Sequence, residues 1–303
     1  MDDYILVCFN ENHFIYPHLK EDIKVSSFFK KSLTGKIKDK MINKIYRVMC
    51  FFKLHKFVYG EWYSQLKLGK KIVFLDECGI DYCLKRIINK YKNNVRIYLW
   101  NSSFKIKNFS SILKIDCPIF TFDLNDSEEY NIKYKPSIVL NISQSELEIV
   151  YDVSFIGLNK GRKVFFDNFK KRFNKIICYF NIIDENVIGY EYPVKYIDYL
   201  NILKKSKCII EILQNNQGGE TIRTVEAIVS GKKLITNNIN ITKMSYYNEN
   251  NILLIENDIE SLDEEKLLEF INKPISSYDL GDIESRFPLK WIKSFFEGED
   301  ISV

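Results

Sequence analysis

The sequence lacks the residues from which most protein metal sites are built. Its 303 residues include only three histidines, His13, His18 and His55, and none of its seven cysteines forms a Cys-x-x-Cys pair. Zinc sites draw mainly on histidine and cysteine, usually at short spacings. We therefore expect no metal site in this protein.

Long apolar runs are also missing. No run approaches the roughly 20 residues that a membrane-spanning helix requires. The N-terminus, Met1-Asp2-Asp3, is acidic and leads directly into a strand-like run, which is not the pattern of a signal peptide. The cysteines are odd in number, and several lie inside apolar runs, as is typical of reduced, buried thiols. These features predict a cytoplasmic protein.

A strong excess of charge of either sign is absent. The 44 basic and 40 acidic residues give a formal charge of +4, which is too mild to indicate nucleic-acid binding, and we expect no nucleic-acid partner. Hydrophobic residues make up 46% of the chain and aromatic residues 15%, enough for packed cores. The length suits two α/β units of about 150 residues each.

Short apolar runs alternate with segments of helical period in the first half, which predicts an α/β fold with a parallel sheet covered on both faces. The predicted strands are Tyr4–Phe9, Lys71–Asp76, Asn94–Trp100 and Pro118–Asp123. The predicted helices are Ser26–Phe57 and Tyr82–Tyr91.

The alternation stops after residue 123 and resumes at Tyr151, so we place a domain boundary within 136–150. The predicted ranges are 1–140 for an N-terminal domain, 150–280 for a C-terminal domain and 281–303 for a final helix. The later strands are predicted at Tyr151–Gly157, Ile176–Phe180, Lys207–Leu213, Lys233–Thr236 and Asn251–Ile255, with helices at Lys163–Arg172, Val194–Lys205 and from residue 218 onward.

Two loops of the second half combine glycine with charge immediately after a strand. The first, at 157–163, reads Gly-Leu-Asn-Lys-Gly-Arg-Lys and opens a helix. A diphosphate there would gain charge-assisted hydrogen bonds from the cations and from the N–H groups of the helix start. A solvated basic turn explains the same residues. The predicted phosphate-binding residues are Gly157, Asn159, Lys160 and Arg162.

The second loop begins the stretch GGETIRTVEAIVSGKKLITNN at 218–238. Gly218 and Gly219 would allow close approach of the backbone, and Thr221 would cap the helix or bind a phosphate oxygen. Arg223 and Glu226 are three residues apart and so share a helix face. Both are predicted donor-binding residues, and Arg223 would add to the phosphate-binding charge. In the simpler alternative the glycines only turn the chain, and Glu226 only offsets Arg223.

The second half resembles the C-terminal domain of GT-B glycosyltransferases, most closely bacterial enzymes that build capsule and lipopolysaccharide. The resemblance is carried by the basic loop, by VKYIDYLNILKKSKCIIEIL and by GGETIRTVEAIVSGKKLITNN, about 80 residues in all. It implies two doubly wound Rossmann-like domains facing a cleft, with the C-terminal helix crossing back to the N-terminal domain. The N-terminal domain would bind the acceptor and the C-terminal domain a nucleotide-sugar donor, UDP-linked, with no cofactor. Glu226 would contact the ribose, and Lys160 and Arg162 the phosphates.

One feature departs from the family pattern. Many retaining members carry a second glutamate eight residues before the ribose-binding one, facing the sugar, but here that position is Gly218 and Glu220 lies six residues before. Whether the reaction retains or inverts configuration is therefore open. No Asp-x-Asp triplet is present to hold a metal, and the expected enzyme stabilises its leaving group with cationic side chains.

An inverting reaction would need a base from the first domain. Glu11 and His13 follow the first strand and Glu77 follows the second, which makes them the candidate catalytic residues. Trp100 and Asn101, after the third strand, are predicted to line the acceptor site. The alternatives are a surface histidine at position 13 and a core tryptophan at position 100.

Residues 28–57 interleave basic and apolar residues at near-helical spacing, with only Asp39 opposing nine cations. A basic amphipathic helix of this kind can lie on an anionic leaflet, where a lipid-linked saccharide acceptor would be found. A core-facing helix with a solvated basic face fits equally.

The sequence thus predicts a glycosyltransferase that acts on a surface polysaccharide, lipopolysaccharide or lipid-linked oligosaccharide. Two other functions remain open. A nucleotide-sugar epimerase of the same architecture would need no acceptor. A non-catalytic two-domain binding protein is usually exported, which the free thiols and the missing signal sequence oppose.

Overall fold

The computed structural model describes residues 3–12, 15–34, 39–140, 142, 147–184, 194–256, 259 and 262–297. The chain divides into two compact units, one comprising Met1–Pro136 with Pro288–Ser302 and the other Ser137–Phe287. Each unit has its own parallel sheet, of six strands in the first and five in the second. The prediction of an α/β protein with two doubly wound domains is confirmed.

The first unit is built on a sheet of six parallel strands in the order β2-β1-β3-β4-β5-β6. The strands are β1 Tyr4–Cys8, β2 Lys24–Ser27, β3 Lys71–Leu75, β4 Val95–Leu99, β5 Ile119–Thr121 and β6 Lys133–Tyr134. All five residues of β1 are buried, because helices cover both faces of the sheet and a strand between them has no solvated side.

The helices described between these strands are α1 Tyr16–Leu19, α2 Lys31–Thr34, α3 Asp39–Phe51, α4 Trp62–Lys67, α5 Tyr82–Lys90, α6 Phe109–Ile112 and α7 Leu124–Tyr130. Helix α5 illustrates why they form. Asp81 caps it by accepting a hydrogen bond from the Leu84 N–H at 2.9 Å. One apolar face of α5, which includes Leu84 and Ile88, then packs into the core of the unit.

The prediction of one helix over Ser26–Phe57 is wrong. Lys24–Ser27 forms the edge strand β2, which pairs in parallel with β1, and the Phe28 N–H continues that ladder to the Cys8 carbonyl at 2.8 Å. Phe28 and Phe29 are buried in the core. The near-helical spacing of apolar residues arose from several separate elements, and sheet pairing overrode it.

The second unit has five parallel strands in the order β11-β10-β9-β7-β8. These are β7 Tyr151–Leu158, β8 Cys178–Ile183, β9 Ser206–Glu211, β10 Lys233–Thr236 and β11 Ile252–Leu254. Its helices are α8 Lys163–Arg172, α9 Tyr196–Lys204, α10 Ile222–Val229, α11 Glu264–Asn272 and α12 Gly281–Glu284. Phe155, Phe166 and Ile210 lie at the centre of its core.

The last helix, α13 at Pro288–Ser294, belongs to the first unit, to which the chain returns after α12. Trp291 of α13 is fully buried, and its indole N–H donates to the Pro136 carbonyl at 2.8 Å. Its ring meets Tyr98 edge-on at 5.0 Å. Burial of so large a side chain fixes α13 on this unit.

Both sheets repeat one topology, and this determines where a ligand would bind. Counted from its own first strand, each sheet contains the order 2-1-3-4-5. In such sheets ligands bind beyond the carboxyl ends of strands 1 and 3, where the connections leave in opposite directions. The candidate binding sites therefore lie beyond the carboxyl ends of β1 and β3 in the first unit and of β7 and β9 in the second.

Candidate functional site

The loop that follows β7 forms a tight turn that leads into α8. Lys160 and Gly161 both adopt left-handed backbone angles, with φ of 43° and 82°. The Arg162 N–H returns to the Asn159 carbonyl at 2.7 Å. The Asn159 side chain accepts from the N–H of Lys163 at 3.1 Å. This turn places Arg162 at the N-cap of α8 and leaves Lys160 exposed.

Arg162 meets Arg223, from the first turn of α10, at one buried aromatic ring. The Arg223 guanidinium lies 4.6 Å and the Arg162 guanidinium 5.9 Å from the centroid of Phe155. One Arg223 nitrogen, Nη2, donates to the Ile156 carbonyl at 2.7 Å. Two cations that are far apart in sequence are thus held at the carboxyl end of β7.

Some hydrogen-bond donors of these two arginines have no partner within the described part of the chain. The Nε atoms of Arg162 and Arg223 are buried there without a hydrogen-bond partner. Burial, and then the neighbouring charge of Arg223, lower the pKa of Arg162 to about 10. Unpaired buried donors and like charges in proximity both cost folding free energy. An anion bound between the two guanidinium groups would relieve both costs.

Gly157 is required by the close packing of this site. A Cβ atom at this position would lie 2.8 Å from Nη2 of Arg223 and 3.1 Å from the Phe155 ring. Glycine therefore leaves the space through which Arg223 reaches the strand. Of the predicted donor residues, Gly157, Arg162 and Arg223 come together at Phe155.

The loop before α10 is held in place by two asparagine side chains. Gly218 and Gly219 are buried, and their carbonyls accept from the side chains of Asn240 at 3.0 Å and Asn238 at 3.4 Å. Thr221 stands at the N-cap position, but its hydroxyl makes no cap bond, so the prediction of side-chain capping is wrong.

The Thr221 hydroxyl instead donates to Glu211, the last residue of β9. The same buried carboxylate accepts from Thr224 at 2.6 Å and from Thr236 at 2.8 Å. Because a hydroxyl has one hydrogen, Thr221 cannot donate to a phosphate while this bond exists. Glu211 fastens the start of α10 to β9 and β10. Glu211 was not among the predicted site residues, although an acidic residue inside the apolar run KCIIEIL was a usable signal.

Glu226 is buried and faces helix α9. Its carboxylate accepts from the hydroxyls of Tyr196 and Tyr199, each at 2.5 Å. Burial raises the pKa of Glu226 to about 7, although the two tyrosines and the charge of Arg223 act in the opposite direction. The tyrosines were not predicted, but their i, i+3 spacing in α9 was a visible signal. The ribose contact assigned to Glu226 stays a prediction.

Glu220, the glutamate nearest to the sugar-facing position of the family pattern, is fully engaged elsewhere. Both of its oxygens accept from Nη1 of Arg286, at 2.7 and 2.9 Å, and Tyr246 donates to it as well. Arg286 also pairs with Asp282. The Glu220 and Arg286 side chains are each 1% exposed, so this cluster is part of the interior.

In the first unit, the two predicted acidic catalytic residues, Glu11 and Glu77, make bonds that hold the chain just after β1. The Glu77 carboxylate accepts from the Phe9 N–H at 2.8 Å and from the Tyr16 hydroxyl at 3.0 Å. Glu11 forms ion pairs with Lys31 at 2.7 Å and Lys20 at 3.2 Å.

Burial acts to raise the pKa of Glu11, but its bonds with Lys31 and Lys20 outweigh that effect and lower the pKa. A carboxylate with a lowered pKa is a weak general base. The third candidate, His13, lies outside the described residues. The catalytic roles of Glu11, His13 and Glu77 stay predictions.

Trp100 and Asn101 lie beyond β4, beside the end of β3. The Trp100 N–H and the Asn101 side-chain amide donate to the two oxygens of Asp76 at 2.5 and 2.9 Å. Burial raises the pKa of Asp76 to about 6, against the effect of these bonds. Trp100 is half-buried rather than a core residue, and its predicted contact with an acceptor has not been tested.

No family model and no curated protein matches the sequence. Among solved structures, an α-glucosyltransferase in complex with UDP and a 13-mer DNA containing a central A:G mismatch aligns with a TM-score of 0.51 at 11% identity, covering 96% of this chain and 93% of that chain. The DNA-modifying enzyme β-glucosyltransferase, solved with and without uridine diphosphoglucose, gives 0.44 at 11% identity, with 89% and 87% covered. CalG4, the calicheamicin glycosyltransferase, gives 0.39 at 9% identity, with 99% of both chains covered.

The first of these alignments establishes the fold. This chain has the two-domain GT-B fold of the α-glucosyltransferase, and the predicted resemblance to GT-B glycosyltransferases is confirmed at that level. The specific resemblance to capsule and lipopolysaccharide enzymes stays a prediction.

Proposed function

We propose that this protein is a glycosyltransferase whose second unit binds a nucleotide-diphosphate sugar. One observation carries the proposal. Arg162 and Arg223 converge on Phe155 at the carboxyl end of β7, and their buried Nε donors have no hydrogen-bond partner among the described residues. A diphosphate matches this arrangement, since it supplies two anionic groups and planar guanidinium groups recognise such oxygens well.

The chemistry assigned to the site is stabilisation of a leaving group. Transfer breaks the bond between the anomeric carbon of the sugar and the donor phosphate, and the bonding electrons stay on the nucleoside diphosphate. Arg162, Arg223 and the N-terminus of α8 offset the negative charge that develops there. We propose that these cations take the place of a metal ion in the reaction.

UDP is the proposed nucleotide. The fold is shared with an α-glucosyltransferase whose structure contains UDP, and this supports a uridine donor here. The proposed acceptor is a saccharide of a surface polysaccharide, lipopolysaccharide or capsule, carried on a lipid. Glu226 would approach the ribose, which lies on the other side of the diphosphate from the transferred sugar.

A binding screen tests the donor assignment. We expect UDP and UDP-sugars to raise the melting temperature, because a ligand at a hundredfold excess over its Kd stabilises the folded state by about 2.7 kcal/mol. UMP is the matched control. It lacks the second phosphate and should give a clearly smaller shift than UDP. Equal shifts with UMP and UDP, or a larger shift with GDP, CMP or dTDP compounds, would contradict the assignment.

The same protein distinguishes a transferase from an epimerase. An epimerase would isomerise the UDP-sugar without an acceptor, whereas a transferase would leave it intact or hydrolyse it slowly. Product analysis by chromatography reads this difference directly. A new UDP-sugar isomer in the absence of acceptor would contradict the proposed reaction.

An exposed face between residues 41 and 57 supports a membrane-bound acceptor. Ile42 and Tyr46 turn one side of α3 into the core, while the opposite side and the segment after it carry apolar side chains into solvent. The exposed apolar side chains are Met41, Ile45, Val48, Phe51, Phe52, Leu54 and Phe57. Exposed cations accompany them at Lys44, Arg47, Lys53 and Lys56, and 41–57 contains no acidic residue.

We propose that this face, residues 41–57, docks on an anionic lipid bilayer. Phe51 is 81% exposed and Phe57 66% exposed, and side chains this apolar favour acyl chains over the phosphates of a nucleic acid. The surrounding cations match anionic headgroups. Ile37, part of the predicted amphipathic segment, lies outside the described residues. No helix in the described part of the chain is long and apolar enough to cross a bilayer.

Vesicle binding tests this surface. The double variant Phe51→Ser, Phe52→Ser should bind vesicles containing phosphatidylglycerol at least tenfold more weakly than the wild type, since burial of each ring contributes about 1.5–3 kcal/mol. Phe104→Ser removes an exposed phenylalanine elsewhere in the same unit and is the matched control. Co-sedimentation is the measurement. Binding of duplex DNA instead of vesicles, or equal vesicle binding by both variants, would contradict the proposal.

A further inference from the structure

Three residues from separate elements of the first unit bring metal-binding atoms together. Cys50 lies in the last turn of α3, His55 in the short 3₁₀ helix His55–Phe57, and Cys83 in the first turn of α5. Their two Sγ atoms and an imidazole nitrogen all lie within 4.8 Å of one another. Cys83 is buried and the other two side chains are half-buried.

The histidine of this cluster carries an unexplained polar atom. Nδ1 of His55 is buried and has no hydrogen-bond partner among the described residues. Its ring is held against Tyr59 at 5.7 Å between centroids. Buried polar atoms are nearly always paired, so an unpartnered nitrogen on an imidazole ring that lies beside two thiols calls for a ligand.

Asp81 lies next to one of these atoms, the Sγ of Cys50, and has one of its own oxygens already fixed. Its Oδ1 accepts from the Leu84 N–H at 2.9 Å and from the Tyr46 hydroxyl at 3.0 Å. Its Oδ2 faces the Sγ of Cys50 at 3.7 Å. A carboxylate oriented in this way can offer Oδ2 as a further ligand.

We propose that Cys50, His55 and Cys83 bind a zinc ion, with Oδ2 of Asp81 in the fourth position. Two thiolates and an imidazole favour Zn²⁺ over Mg²⁺ or Ca²⁺, which prefer oxygen ligands. On binding, the two thiols release their protons to solvent, and the thiolate charges offset that of the ion.

The observed spacing fits such a site after a small contraction. Zinc lies about 2.3 Å from sulfur and about 2.0–2.1 Å from nitrogen, so ligand atoms in a tetrahedral site are roughly 3.3–3.8 Å apart. The largest separation allowed by the present cluster, 4.8 Å, exceeds this by about 1 Å, which side-chain rotation can close.

A supporting hydrogen-bond network surrounds the proposed ligands, as is usual in zinc sites. The Tyr46 hydroxyl joins Asp81 to the hydroxyl of Tyr59, which lies 3.1 Å away. Tyr46 and Tyr59 are themselves buried in the core. These bonds fix the position of the Asp81 carboxylate relative to helix α3, which carries Tyr46.

With four protein ligands the site is closed, and its role is structural. The ion would tie the end of α3 to the start of α5, and α3 carries much of the exposed face at 41–57. The proposal is independent of the donor site, which lies in the second unit, because zinc content and UDP binding are measured separately.

Metal analysis of the purified full-length protein tests the site. We expect about one zinc ion per chain in the wild type and a loss of at least tenfold in Cys50→Ala and Cys83→Ala. Cys117→Ala, a half-buried thiol of the same unit outside the cluster, is the matched control and should keep its zinc.

A second measurement avoids variants that fail to fold. Cobalt added to chelator-treated wild-type protein should give a thiolate-to-cobalt charge-transfer band, and zinc should abolish it. Failure to bind zinc or cobalt would overturn the proposal. So would zinc that persists in both cysteine variants, or a Cys50–Cys83 disulfide found in alkylated peptides from the untreated protein.

Discussion

Replacing Arg162 or Arg223 with glutamine is expected to weaken UDP binding by roughly 10- to 150-fold for each substitution. A hydrogen bond to a charged partner contributes about 1.5–3 kcal/mol, and each guanidinium supplies at least one to the proposed diphosphate. Both side chains lie at the same buried ring, Phe155. Isothermal titration calorimetry with UDP measures the loss.

Although Arg162→Gln should weaken UDP binding, it should make the ligand-free protein more stable. Burial and the nearby Arg223 charge lower the pKa of Arg162 to about 10, so its charged side chain, although still protonated at neutral pH, is less favourable in the folded state than in the unfolded chain. Removing that charge should raise the free energy of unfolding by on the order of 1 kcal/mol. A substitution that stabilises the protein while removing binding is typical of a functional site.

Lys171→Gln is the matched control. It removes a cation from the last turn of the same helix, α8, at an exposed position. Its UDP affinity should equal that of the wild type. Wild-type affinity in Arg162→Gln and Arg223→Gln would remove the diphosphate site from the account, as would equal losses in all three variants.

Arg286→Met should lower the free energy of unfolding by about 3–5 kcal/mol. The substitution leaves the Glu220 carboxylate buried without its cation, and breaking a buried pair costs about this much. Glu220 and Arg286 are each 1% exposed and share two hydrogen bonds. Urea denaturation followed by circular dichroism is the measurement.

An exposed ion pair provides the control for this prediction. Lys92 and Asp116 are 50% and 71% exposed, so Lys92→Met should cost no more than about 1 kcal/mol. The double variant Glu220→Gln, Arg286→Met should recover part of the loss, because the buried charge of Glu220 is removed and only the more exposed Asp282 is left without its cation. A loss in Arg286→Met as small as that in Lys92→Met would contradict the structural role assigned to this cluster.

This role also bears on the departure from the family pattern. Because Glu220 is held by Arg286 and Tyr246, it does not replace the sugar-facing glutamate of retaining enzymes. Glu220→Gln should therefore change stability while leaving UDP affinity in the folded protein unchanged.

The fold was predictable because strand and helix patterns are local. Runs such as Tyr4–Phe9 and Lys71–Asp76 read as buried strands, and the structure has β1 and β3 at nearly the same bounds. The prediction failed at Lys24–Ser27, where pairing with β1 rather than local spacing determines the conformation. The sequence does not record which segments will pair at a sheet edge.

The site was predictable only in part, for the same reason. Glycines and cations after β7 and β9 indicated the loops from which Arg162 and Arg223 extend, since parallel strands bring their carboxyl ends to one edge. The meeting of Arg162 and Arg223 at Phe155 could not be inferred, because it depends on the direction of side chains in space. The cluster of Cys50, His55 and Cys83 was missed because Cys83 lies on a later helix, far along the chain from Cys50 and His55.

A crystal structure of the protein with UDP would show whether the two arginines bind the diphosphate. We expect the diphosphate beyond the end of β7, with its oxygens within hydrogen-bond distance of the guanidinium groups of Arg162 and Arg223. UDP bound with its diphosphate away from both arginines, or no UDP in crystals grown at saturating concentration, would contradict it.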